Sequence, residues 1–122
     1  MKTAPLVLLL VDRRRSRTMK SLKDAGYNLM TTYTPDHAVA ICVSNNRMDA
    51  VVLDQAHFVE TEGWSVAQSL KMVCRSLLVV LIVRGTLLGG ALPQGVDCVV
   101  LENDSAGLLK ALKQARLNEA HI

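Results

Sequence analysis

Five side chains have both the chemistry and the placement to work at one site. Asp54 ends the apolar run Ala50, Val51, Val52, Leu53, and Asp12 ends the apolar run 5–11. Arg13 follows Asp12 directly, Arg84 follows the apolar run 77–83, and Glu102 follows the run 98–101. Short runs of β-formers bounded by polar residues are the pattern of strands buried on both faces of a parallel sheet. Ligands gather at the carboxyl ends of such strands, which is where these five residues fall. Three carboxylates and two guanidinium groups permit three kinds of chemistry. Arg13 and Arg84 can clamp an anion such as a phosphate, a nucleotide or an acidic peptide. Glu102 can act as a general base, but no second group for acid–base work accompanies it. The third option is that the charges pair with one another in a structural network, and this reading is favoured.

The elements that must hold these residues alternate along the chain. Residues 5–11 read as a first strand and 16–25 as a helix, with Met19, Leu22 and Ala25 facing a sheet and Gly26 ending the helix. Residues 28–32 form a second strand. Thr34, Pro35 and Asp36 supply the next helix with a cap, a first residue and a first-turn acid. That helix runs to Ser44 and buries Ala38, Ile41 and Cys42. The third strand covers 49–53 with Asp54 at its end, and a loop follows over 55–62. A helix from Gly63 carries Val66, Ala67, Leu70, Val73 and Cys74 as one stripe. Residues 77–83 are the fourth strand. Over 86–94 any helix is short or broken, because Gly89, Gly90 and Pro93 interrupt its leucines. Residues 98–101 are the fifth strand, and Asp104 or Ser105 caps a last helix with Leu108, Leu109, Leu112 and Ala115 on one side. The alternation predicts a doubly wound five-stranded parallel sheet with helices on both faces and right-handed crossovers.

Composition narrows the function classes. The 122 residues make a single domain, long enough to bury a core without staples, with no internal repeat, low-complexity segment or linker. Half the residues are apolar but only 3% are aromatic, so the core is built from aliphatic side chains. A net charge of +3 demands no polyanionic partner. The cluster Arg13, Arg14, Arg15, Arg17 and Lys20 reads as a solvated loop and helix face, since stacking aromatics and a recognition helix are lacking. Nucleic acid is therefore not expected as a partner. Three cysteines in irregular spacing, Cys42, Cys74 and Cys98, fit buried thiols in a reducing compartment rather than disulfides or a metal site. No apolar run is long enough to span a bilayer, and the amino-terminal run leads into Asp12 and arginines with no cleavage site. A cytoplasmic protein without a membrane partner is expected. His37 and His57 read as ordinary polar residues, and Trp64 as packing under the third-strand loop.

At this point the chain resembles a response-regulator receiver domain, of CheY-like, flavodoxin-like topology. The resemblance spans nearly all 122 residues. It rests on Leu10-Val11-Asp12, on Val52-Leu53-Asp54, on Gly26-Tyr27, on Gly63 and on Gly95-Val96-Asp97. It implies that Asp54 is the phospho-acceptor position and Asp12 the first of two acids that hold magnesium in that family. Three substitutions break the family's pattern. Arg13 stands in place of the second acid, Arg84 in place of the Thr or Ser, and Glu102-Asn103 in place of Lys-Pro. An arginine offers a hard cation no lone pair, and losing metal, hydroxyl and lysine removes most of what drives phosphoryl transfer. The expectation is a pseudo-receiver with no enzymatic activity, no metal and no other cofactor. It signals by contact with a protein: a histidine kinase, an output protein or a second copy. Leu87, Leu88 and Leu92 lie where the family forms dimers and output contacts, so the 87–92 region is either a partner surface, with a homodimer as one candidate, or a collapsed loop that buries its leucines.

Overall fold

The computed structural model describes residues 6–11, 17–44, 48–54, 60–74, 77–83, 95–102 and 104–120. Five strands, β1 (Leu6–Leu10), β2 (Asn28–Thr32), β3 (Ala50–Asp54), β4 (Leu78–Val83) and β5 (Cys98–Leu101), form one sheet in the order β2-β1-β3-β4-β5. Each of the four pairings is parallel. This is the doubly wound order of the flavodoxin-like class. The described helices are α1 (Arg17–Asp24), α2 (Pro35–Ser44), α3 (Glu60–Val73) and α4 (Ser105–Ala120).

Strand alternation divides the core in two. Leu8, Leu10, Val51, Leu53, Val79 and Leu81 face α2 and α3, meeting Ala38, Cys42, Ala67 and Leu70. Val7, Leu9, Ala50, Val52, Val80 and Ile82 face α1 and α4, meeting Leu22, Leu108 and Leu112. Because both sides of the central strands are covered, their sequences are continuous apolar runs rather than alternating ones. Each fully buried leucine contributes about 1.5–3 kcal/mol relative to exposure.

Local chemistry sets the helix ends. The Gly26 N–H donates to the Lys23 carbonyl (3.0 Å) and the Tyr27 N–H to the Leu22 carbonyl (3.2 Å), with Gly26 at φ 89°. This is the paired closure that a left-handed glycine allows. Thr34 caps α2, its Oγ1 accepting from the His37 N–H at 3.3 Å. Asp104 rather than Ser105 caps α4, its Oδ1 accepting from the Gly107 N–H at 3.0 Å.

Three expectations are corrected. The third helix begins at Glu60, not Gly63; glycine is a weak helix former and does not by itself mark a helix start. Ala25 is exposed in the turn after α1 and faces no sheet. Val73 is 44% exposed, because the buried face of α3 runs through Ala67 and Leu70 instead. The expected broken helix over 86–94, with Leu87, Leu88 and Leu92, lies outside the described residues.

Candidate functional site at the carboxyl ends of the strands

Among the described residues only two polar side chains are buried, Thr32 at 1% and Asp54 at 4% exposure. Each is the last residue of its strand. A buried polar group at an apolar strand's end costs free energy unless its surroundings engage it. Thr32 is engaged by His37: their Oγ1 and Nδ1 atoms lie 3.0 Å apart, tying the end of β2 to the first turn of α2. Sequence reading left His37 as an ordinary polar residue, since nothing in the linear order links it to a strand end five residues back.

Asp54 aligns with Ile82 on β4, and its neighbour Leu53 aligns with Leu10 on β1. Alternation places its side chain on the same face as Ala50 and Val52, toward α1 and α4. Asp54 takes part in polar or electrostatic contacts. Glu102 follows β5, half-buried, and its N–H donates to the Val83 carbonyl at 2.7 Å. Asp54 and Glu102 therefore flank the end of β4 from its two neighbouring strands. Asp12 follows Val11, which is buried and whose N–H donates to the Thr32 carbonyl at 3.0 Å. Asp12, Arg13 and Arg84 themselves lie outside the described residues, as do His57 and Asn103. Among the described residues no three His, Cys, Asp or Glu side chains group closely enough to hold a metal ion. Asp54 and the other described donors do not by themselves make a magnesium site.

The opposite end of the sheet carries a different pair of acids. Asp49 precedes β3; its Oδ2 accepts from the Leu6 N–H (2.7 Å) while its own N–H donates to the Leu6 carbonyl (2.9 Å). Asp97 precedes β5 and treats Val79 in the same way, at 2.8 and 2.9 Å. Each carboxylate replaces the acceptor that one more ladder residue would have supplied, so the first N–H of the adjoining strand is not left bare. Lys71 of α3 adds its Nζ to Asp97 Oδ2 and to the Leu77 carbonyl, both at 2.6 Å. Gly95 completes the corner at φ 90°, where a Cβ would lie 3.0 Å from the Ala67 and Gln68 backbone. Sequence reading noted Asp97 only as part of a motif. A stronger signal was available: 49–54 and 97–102 share the pattern Asp, small residue, Val, Val, Leu, acid.

The three cysteines are free thiols, with Cys42 buried and Cys74 and Cys98 half-buried. Burial, with Cys74 as a second cause, pushes the Cys42 thiol up to about 11. Burial and then Asp97 raise Cys98. No helix among the described residues is long and apolar enough to cross a membrane.

No protein-family model and no curated protein matches the sequence. Solved structures do match in fold. A response regulator receiver protein from Sinorhizobium medicae shares 25% identity at a TM-score of 0.73, covering 92% of this chain and 94% of its own. A CheY-like receiver domain protein from Methanospirillum hungatei superposes at 0.79 with 15% identity, covering 98% and 99%. A protein from Burkholderia pseudomallei described as pilus assembly-related superposes at 0.76 with 20% identity, covering 94% and 91%. With the strand order β2-β1-β3-β4-β5 and an acid ending β3, the chain has the CheY-like fold of the receiver domains of two-component response regulators.

Proposed function

We propose that this chain is a receiver-like signalling module of a phosphorelay-type system that acts by protein–protein contact and has lost the receiver's phosphorylation chemistry. The observation that carries the reading is Asp54: a carboxylate 4% exposed at the end of β3, in a chain whose neighbouring strand ends continue into Arg13, Arg84 and Glu102-Asn103. In receiver domains those places carry a second acid, a hydroxyl and a lysine. A phosphoryl group bound for Asp54 needs cationic stabilisation of its oxygens and an ion to bridge it to the acids. Arginine at the second-acid position supplies charge but no ligand atom, so the metal has lost one of its anchors. Three acids and two arginines also balance most of their charge internally, which leaves little to attract a divalent ion. The module is therefore not an enzyme, takes no cofactor and works in the cytoplasm. Its partner is a histidine kinase, an output protein or a second copy.

The test is incubation with a small phosphodonor and magnesium, read by intact mass. No mass increase is expected. A stoichiometric acyl phosphate, lost in Asp54→Asn, overturns the reading in favour of a working receiver that uses Asp54 in an unusual pocket. Thermal stabilisation by inorganic phosphate that is lost in Arg84→Ala would instead favour an anion site built on Arg13 and Arg84.

A further inference from the structure

The two helix layers differ sharply in charge. The helices α1 (17–24) and α4 (105–120) hold six of the chain's 14 Lys and Arg but only two of its 11 acids, a net +4, while the remaining residues are −1. In the fold α1 and α4 form one layer. α1 and α4 lie side by side on the same face of the sheet, and the Ser21 and Ser105 hydroxyls meet at 3.1 Å. Leu22, Leu108 and Leu112 point inward. Lys20 and Lys23 on α1 and Lys110 and Lys113 on α4 are exposed, and among the described residues none of the four makes an ion pair. The other layer is unlike this: α2 carries no Lys or Arg, and Lys71 of α3 is engaged with Asp97 and the Leu77 carbonyl.

We infer that the α1/α4 layer is the docking surface for an acidic protein segment. The choice among anionic partners follows from what the layer lacks. Surface insertion into a bilayer needs exposed apolar side chains beside the cations. Every large exposed hydrophobic among the described residues lies off α1 and α4: Met30, Tyr33, Val43, Met72, Val73 and Leu101. Binding of nucleic acid as a single strand needs aromatic platforms, and neither helix contains an aromatic residue. Two helices lying flat on a sheet also offer no element that enters a groove. A cationic surface whose leucines Leu22, Leu108 and Leu112 turn inward fits carboxylates presented along a polypeptide, which it attracts at long range and orients by charge. The inference gives the contact function a partner class and rests on that reading, but not on the state of Asp54.

The experiment is fluorescence anisotropy of a labelled Glu-rich peptide against the full chain at low and at raised salt. Wild type is expected to bind at low salt and to weaken as exposed charges are screened. Reversing all four lysines (Lys20→Glu, Lys23→Glu, Lys110→Glu, Lys113→Glu) is expected to weaken binding by about tenfold or more, and the four Gln changes by less. Thermal melting checks that both variants fold. Met72→Ser, on the other layer, is expected to leave affinity unchanged. Affinity unaffected by reversal, no binding of the peptide at low salt, or tighter binding of duplex DNA or phosphatidylserine vesicles than of the peptide overturns the proposal. The measurement uses unphosphorylated protein, so a positive phosphodonor result and a negative peptide result are read independently.

Discussion

The two ends of the sheet use acids in opposite ways. At the amino-terminal end, Asp49 and Asp97 bond the backbone of Leu6 and Val79, and Lys71 neutralises Asp97. These carboxylates replace missing ladder acceptors, and their function is complete inside the fold. At the carboxyl-terminal end, Asp54 is nearly inaccessible at 4% exposure and has polar or electrostatic contacts of its own, and the Glu102 N–H donates to the Val83 carbonyl. An acid placed for architecture is bonded to main chain nearby. Under the proposed function, the acid at the carboxyl-terminal end belongs instead to a site assembled from separate strands. The same hexapeptide pattern, in 49–54 and 97–102, carries one acid of each kind.

Four measurements break or sharpen this contrast. The largest effect is expected from Gly95→Ala: a left-handed backbone and a Cβ 3.0 Å from the α3 main chain together cost about 2–4 kcal/mol, read by urea unfolding. An unchanged midpoint would show that the amino-terminal corner is not rigid. Asp97→Ala follows, at about 1–3 kcal/mol, because the Val79 N–H loses its acceptor. Asp97→Asn should recover most of that, since the ion pair to Lys71 is partly exposed and contributes little by itself.

Cys42, on the turn of α2 that leads to the same end, gives a pH signature. Its pKa is raised from 9.0 to about 11, so the folded state holds the proton that the unfolded chain releases. Its contribution to stability is complete below pH 9 and is lost as pH rises from 9 toward 11. The check is the unfolding midpoint of wild type against Cys42→Ala across that window; parallel curves would contradict the burial argument. The smallest effect is expected at the other end. Asp54→Asn keeps the side chain's shape, and its stability should lie within about 1 kcal/mol of wild type. Millimolar magnesium should then leave the melting temperature of both proteins unchanged, whereas a resident ion would raise that of wild type. A magnesium-dependent rise confined to wild type would erase the distinction between an inherited acid and a working one.

The sequence by itself determined most of the architecture. Runs such as Leu78–Val83, short and rich in β-branched residues, read as strands covered on both faces, and Thr34-Pro35-Asp36 and Gly26 mark helix ends through local dihedral and hydrogen-bond chemistry. Asp54 was legible as a strand-end acid because its position depends only on where an apolar run stops. Partnerships between distant residues were not legible. Thr32 with His37, Asp49 with Leu6, and Lys71 with Asp97 and Leu77 depend on strand order and on how α2 and α3 lie across the sheet. Glu60 as the start of α3, and Val73 left exposed, likewise depend on which helix face the sheet covers. Local propensity acts over a few residues and is written in their order. Burial and pairing are set when separate elements meet, so only the tertiary structure decided which acids brace the sheet, and it placed the lysines of α1 and α4, about ninety residues apart in the chain, on one layer.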